Sequence, residues 1–367
     1  MSSQYDTLET PVGPRVRING KEYDYFCGTS YYCLHGDPRV IEAACNAARK
    51  YGLGPATSWN VPPLKEVEIL AAQYFGTKFA HYIPTGYLGV FYMANALRDE
   101  YDIIFVDERS HYSVFDGLRA VGKQVISFAH MDAEDLQRKV KYKLKNKMSP
   151  LVVTDGIFPT TGAIAPLRDY CQVLFSYERY ILLIDDSHGV GVLGDHGRGT
   201  CEYHEINSEQ VYFTGTLSKA FGGFGGIIPG DEKLMEKIFK NVKATIGASP
   251  PPVPAAAASA MGIKILAEHP ELREQLRANV FYLRNKLRHI GINVEISPVP
   301  IIAIYGSKSI DVKKIQTGLK NKGIMVRYIP AKGYSDVPDV DLIKITLFAQ
   351  HSTDQLDKLV HEISKLI

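Results

Sequence analysis

Tyr180-Ile181-Leu182-Leu183-Ile184-Asp185-Asp186-Ser187-His188 is an unbroken apolar run that ends on two carboxylates and, one serine later, a histidine. An apolar run of this length without polar alternation predicts a strand buried on both faces, the kind found in parallel sheets covered by helices. Comparable runs recur along the chain: Ile103 to Val106 before Asp107, Gln124 to Phe128, Leu151 to Thr154 before Asp155, and Gln210 to Phe213 before Thr214. Helical or loop segments separate most of them, and that alternation predicts an α/β fold with a mainly parallel sheet covered by helices. Functional residues in such sheets gather beyond the carboxyl ends of the strands. Asp107 to His111 (DERSH), Asp155-Gly156, Asp185 to His188 and Lys219 are the candidates at those places.

Composition narrows the classes. The chain has 367 residues, 45% hydrophobic and 22% charged, enough for a large core and for two or three domains. A net charge of +2 gives no electrostatic case for nucleic acid or an anionic membrane, and the basic run Lys139 to Lys147 reads as a solvated helix face. The five cysteines show neither CxxC nor zinc spacing, so no metal site is expected, and the start lacks an apolar signal core. The expected compartment is a reduced cytoplasm. No apolar stretch approaches the ~20 residues that span a bilayer.

Downstream, Val211-Tyr212-Phe213-Thr214-Gly215-Thr216-Leu217-Ser218-Lys219-Ala220-Phe221-Gly222-Gly223 runs from a strand into a tight glycine-rich turn that holds one lysine. A lysine at a pocket mouth becomes a Schiff-base nucleophile when neighbours depress its pKa, and the hydroxyls of Thr216 and Ser218 with nearby amides suit a phosphate. The combination points to pyridoxal 5′-phosphate, although a glycine-rich loop with a solvated lysine fits the same letters. Earlier, His81-Tyr82-Ile83 leads through Pro84-Thr85-Gly86-Tyr87-Leu88-Gly89 into a helical stretch, a strand-to-helix turn suited to an anion. An ionised Asp185 buried in a crevice needs a cationic partner, and a protonated pyridine nitrogen would serve. His188 is then positioned for the cofactor's phenolic oxygen and His111 for its ring face.

The remaining elements follow local signals. Asn19-Gly20 between alternating residues predicts a hairpin over 14–26, and a proline-led helix is expected over 38–51. A further helix is expected from Leu64 to Phe75. Ser249-Pro250-Pro251-Pro252 before an alanine-rich helix reads as the joint to a smaller α+β domain, giving segments 1–37, 38–248 and 249–367. The last of these reads as helix (271–290), strands (293–296 and 301–305), helix (311–322), strands (324–328 and 342–347) and a final helix from Thr353.

The order Thr-Gly, His, DxxH and Ser-Lys resembles the α-oxoamine synthases, pyridoxal-phosphate acyltransferases of aminotransferase fold type I. The resemblance runs from about Tyr25 to Leu359 and is carried by DERSHYSVFDGL (Asp107 to Leu118), DDSHGVGVLGDHGRGT (Asp185 to Thr200), TGTLSKAFGGFGG (Thr214 to Gly226) and AQHSTDQLDKL (Ala349 to Leu359). It implies that Lys219 holds the cofactor covalently, Asp185 faces the pyridinium, His188 the phenolic oxygen and His111 the ring. Thr85, Gly86, Tyr87 and Thr216 would bind the phosphate, with Ser249 contributed by the neighbouring subunit. The implied protein is a homodimer that condenses an amino acid with an acyl-CoA or other acyl thioester to an α-amino ketone, with decarboxylation. Another pyridoxal-phosphate reaction on the same fold, or a non-catalytic partner subunit, remains open.

The chain departs from the pattern in four places. Lys344 stands where the family carries the arginine that grips the amino-acid carboxylate, and Pro159 replaces a serine in Pro159-Thr160-Thr161-Gly162. An early asparagine has no counterpart in Gly28 to Cys33, and the substrate loop reads Gly54-Pro55-Ala56-Thr57-Ser58-Trp59. Either Lys344 binds the acid group as a point charge, the expectation taken here, or the amino substrate is unusual and Tyr31, Tyr32 or Trp59 lines its pocket.

Overall fold

The computed structural model describes residues 6–56, 59–145 and 147–367. The chain forms two compact units, the larger comprising Arg39–Phe158 and Ala163–Glu268, the smaller comprising the described residues up to Pro38, Pro159–Gly162 and His269–Ile367.

The smaller unit begins with strands β1 (Arg15–Ile18) and β2 (Lys21–Tyr25), paired antiparallel. Asn19 and Gly20 between them both have positive φ, 49° and 72°. That is the left-handed pair a two-residue hairpin needs to match the strand twist.

In the larger unit β3 (Phe79–Ile83), β4 (Ile103–Asp107), β5 (Val125–Phe128), β6 (Pro150–Asp155), β7 (Ile181–Asp185), β8 (Val211–Thr216) and β9 (Gly226–Gly230) form one seven-stranded sheet. Its order is β3-β9-β8-β7-β6-β4-β5. The five strands from β8 to β5 are parallel, and β9 runs antiparallel to both neighbours. Alternate residues serve opposite faces, as the two-residue period requires. Ile104, Val106, Leu151, Val153 and Leu183 pack with Val90, Met93, Val114, Leu118, Leu234 and Ile238 of three helices. On the other face Phe105, Val152, Leu182 and Ile184 pack with Leu136, Val140, Tyr170 and Leu174. Strand β9, Gly226-Ile227-Ile228-Pro229-Gly230, is absent from the sequence reading because its glycines and proline read as a turn.

The smaller unit continues with β10 (Ile301–Tyr305), β11 (Ile324–Met325), β12 (Arg327–Ile329) and β13 (Leu342–Thr346). One sheet has the order β10-β13-β12, and β11 instead joins the hairpin in the order β1-β2-β11. The single strand expected over 324–328 is therefore split at Val326, where the chain changes sheets. The strand expected at Asn293 to Ile296 does not form. Arg284 explains this: its guanidinium donates to the carbonyls of Glu295, Val299 and Ile301 at 2.7, 3.0 and 2.8 Å, so a side chain stands in for a neighbouring strand. The joint also moves. The helix after the proline cluster, Val253–Glu268, belongs to the larger unit, where it packs along the helix Pro62–Phe75. The N-terminal segment belongs with the C-terminal residues rather than standing alone. Of the basic run, the helix Ala133–Lys143 takes only the first part. No helix among the described residues is long and apolar enough to cross a membrane.

His351 closes the core of the smaller unit. Its ring stacks between Phe26 and Phe348, with centroids at 4.3 and 5.1 Å. Nδ1 accepts from the Phe348 N–H at 2.9 Å, so the ring proton sits on Nε2 and is donated to the Tyr25 carbonyl at 3.0 Å. Both nitrogens are satisfied only in the neutral ring, and burial pulls its pKa from 6.5 to about 4. Below 6.5 the unfolded chain binds a proton that the folded chain refuses, so stability falls as pH drops towards 4, by an amount on the order of 3 kcal/mol. Urea unfolding across that range is expected to show this slope, and His351→Gln to flatten it.

Candidate active site

The ends of the parallel strands bring the candidate residues of the larger unit together. Register pairs Asp155 with Asp185 and Asp185 with Thr214, so β6, β7 and β8 deliver their polar residues at one level. Asp185 is 4% exposed. Its carboxylate accepts from the Ser187 amide at 3.2 Å and the Ser113 hydroxyl at 3.4 Å. Ser113 also bonds His111 Nδ1 at 2.6 Å, and the His111 N–H donates to Asp155 at 2.8 Å. His111 is the N-cap of the helix Tyr112–Arg119, which fixes its ring at the helix start. The Tyr87 ring meets the His111 ring edge-on at 6.0 Å, and its hydroxyl donates to Asp116. Ser113 carries no role in the sequence reading; its signal was its place two residues after a capping histidine.

Asp186 has a different environment from its neighbour. Fully buried, it accepts from the Thr200 amide at 2.7 Å, and burial, with some repulsion from Asp185, pushes its pKa to about 8. Asp186 therefore carries a proton at neutral pH. His188, also buried, follows in the same turn, which is closed by the Gly189 amide on the Asp186 carbonyl at 2.9 Å.

The lysine turn is held by its own backbone. Leu217 N–H donates to Gly225 O and Gly223 N–H to Leu217 O, both at 2.9 Å, and Gly222 N–H to the Lys219 carbonyl at 3.2 Å. Lys219 is half-buried in this turn. The Thr216 hydroxyl donates to Gly225 O at 2.9 Å and accepts from the Ser218 amide at 3.2 Å. Against it lies the turn after β3, where Thr85 caps the Tyr87 amide. A Cβ on Gly86 would fall 2.7 Å from Thr216 Cβ and 2.9 Å from its Oγ1. The structure thus joins Thr85, Gly86 and Tyr87 to Thr216, and separately links Tyr87, His111 and Asp185.

Other candidates lie elsewhere. Ser249 is exposed on a cavity of about 300 Å³ lined by His81, Tyr82, Pro84, Tyr92 and the neighbouring prolines. Trp59 is exposed, and Thr57 and Ser58 of the expected substrate loop lie outside the described residues. In the smaller unit Tyr31 and Tyr32 are fully buried, their carbonyls accepting from the Ala349 amide and the Gln350 side chain. Burial pushes the Tyr31 phenol well above its usual range. Lys344, half-buried, donates to the Pro159 carbonyl at 2.6 Å.

A family model, aminotransferase class I and II, matches residues 32–363. The chain belongs to that family. It is 31% identical over 365 residues to an 8-amino-7-oxononanoate synthase of Hahella chejuensis, covering 98% of this chain and 91% of the relative. It is 29% identical over 363 residues to a serine palmitoyltransferase of Sphingobacterium spiritivorum, covering 98% and 90%. The solved structure of Sphingomonas wittichii serine palmitoyltransferase superposes with a TM-score of 0.90 at 26% identity, covering 100% of this chain and 92% of that one.

The family's cofactor is pyridoxal phosphate, and the donor set suits it. A buried carboxylate, a half-buried and a buried histidine, a lysine in a hydrogen-bonded turn and a threonine hydroxyl beside a turn with no room for a side chain match its pyridine, phenol, aldehyde and phosphate. Gly86→Ala should displace Thr216 by a few tenths of an ångström. Cofactor titration by absorbance is expected to show affinity at least about ten-fold weaker, equivalent to ~1.4 kcal/mol, with the fold retained by circular dichroism.

Proposed function

We propose that this chain is a pyridoxal-phosphate acyltransferase that joins an amino acid to the acyl group of an acyl-CoA or other thioester, releasing carbon dioxide and the thiol, to give an α-amino ketone. The observation that carries this reading is the hydrogen-bonded line from His111 through Ser113 to the buried Asp185, in a chain akin to two synthases of that type.

Bound, the cofactor supplies an electron sink for negative charge at the amino acid's α-carbon. Asp185 keeps a proton on the ring nitrogen, because its carboxylate is buried at the end of β7. Ser113 orients both Asp185 and His111, and His111 covers the ring face and directs the acyl carbonyl. His188 would donate to the cofactor's phenolic oxygen. Thr85, Gly86, Tyr87 and Thr216 would bind its phosphate. Lys219 Nζ would hold the cofactor and, once freed from it, serve as the base that takes the α-proton and the acid that returns one to the same carbon.

The same reading makes the protein a cytoplasmic homodimer, with Ser249 offered to the neighbour's phosphate. Family resemblance and the exposed position of Ser249 support it. A mass-resolved sizing run is expected to give a dimer; a fully active monomer would remove this part.

Purified protein incubated with panels of amino acids and acyl-CoAs is expected to yield the condensed ketone by mass spectrometry, with stoichiometric free thiol. An aldehyde, amine or 2-oxo acid without thiol release would replace this reading with another reaction on the same fold. Lys219→Ala should lose the borohydride-reducible adduct and about 10³-fold or more in turnover, with its fold intact.

A further inference from the structure

Within the smaller unit, four groups that together make a carboxylate receptor converge on the segment Pro159–Gly162. The amides of Thr160 and Thr161 and the Thr161 hydroxyl all point at one oxygen, Asp336 Oδ2, at 2.8, 2.8 and 3.1 Å. Successive backbone N–H groups facing one concavity form an anion-binding nest. The fourth group is the Lys344 ammonium, fixed to the Pro159 carbonyl at 2.6 Å. Asp336 is 0% exposed, and its other oxygen, Oδ1, has no hydrogen-bond partner among the described residues. A buried carboxylate with half its lone pairs unmatched is costly unless a nearby charge offsets it. Lys344, bonded to the Pro159 carbonyl of the same segment, contributes positive charge through space and not by a direct ion pair: loss of hydration pulls its pKa to about 8, while Asp336 and Cys27 hold it up and Arg327 pushes it down.

We infer that Asp336 is a resident carboxylate: it fills the receptor made by the Thr160 and Thr161 amides and the Thr161 hydroxyl, with Lys344, bonded to the same segment, as its counter-charge, so that Lys344 binds no substrate carboxylate. This replaces the expectation that Lys344 grips the amino acid as a point charge. It rests on the proposed function for its bearing on substrate, although the receptor itself is independent of turnover. The amino substrate's own carboxylate, or whatever stands in its place, is then recognised by other groups.

The test is chemical rescue, with acetate as the probe and acetamide and chloride as controls, read as melting temperature. Asp336→Gly empties the receptor. That variant is expected to melt below the wild type and to recover at least half of the loss in a saturable, acetate-specific way. The wild type should respond to acetate no more than to chloride. Adding Lys344→Met to Asp336→Gly should abolish the recovery. If Asp336→Gly does not fold, Asp336→Asn serves: Lys344→Met should then lower the melting temperature less in the Asn background than in the wild type. No acetate-specific recovery in a folded Gly variant, an acetate response in the wild type, or equal Lys344→Met losses in both backgrounds overturns the inference. None of these readouts needs the condensation reaction, so failure of the proposed function leaves them interpretable.

Discussion

A carboxylate at the buried end of β7 is the constraint on which the site depends. Taken out of water, Asp185 needs donors from more than its own strand, because the ladder occupies the backbone groups beside it. One donor comes from its own turn, Ser187, and the other from Ser113, at the start of a helix that follows a different strand. That second bond ties the helix Tyr112–Arg119 to the centre of the sheet and sets the orientation of His111 through the shared serine. The register of β6, β7 and β8 then decides everything nearby, since a slip of one residue would turn Asp155, Asp185 and Thr214 to the opposite face. Strand β9, antiparallel between β3 and β8, brings the turn at Gly86 against Thr216 and leaves no room there for a side chain.

Adjacent acids here serve opposite ends. Asp186 is sealed with the Thr200 amide and holds a proton, whereas Asp185 has donors of its own on the other side of the turn. Two neighbouring carboxylates ionised together in so dry a place would repel, and sequestering one proton on Asp186 relieves that repulsion. The pair in the sequence reads as a repeated letter; in the fold one carboxyl accepts from Ser187 and Ser113 and the other from Thr200.

The sheet was legible because its inner strands are short apolar runs with no polar alternation, and their carboxyl ends marked Asp107, Asp155, Asp185 and Lys219 as the places to look. The hairpin at Asn19-Gly20 was legible for a backbone reason: both residues tolerate positive φ. What escaped notice depended on distant partners. Gly226 to Gly230 has turn composition and becomes a strand only because β3 and β8 flank it. Residues 293–296 have strand composition and remain irregular because Arg284, far back on a helix, takes up carbonyls of that segment and its continuation. Ser113 was missed for the same reason, its role being a bond to a residue 72 positions away. The occupied nest at Thr160-Thr161 needed a carboxylate 176 and 175 residues downstream, which no local pattern announces.

The change of sheet at Val326 has a consequence for how the chain is made. Strand β2 near the start has its parallel neighbour at Ile324 and Met325, and Asp24 is gripped by Gln355 and Lys358 of the last helix. Synthesis runs in one direction, so the hairpin emerges early and waits while the whole larger unit is produced. Every strand of the seven-stranded sheet is available once residue 230 has left the ribosome, and the flanking helix follows by Glu268. The hairpin is thus enclosed only after the residues up to Lys358 have been made. During that interval the β2 edge is exposed to any other chain that offers a strand.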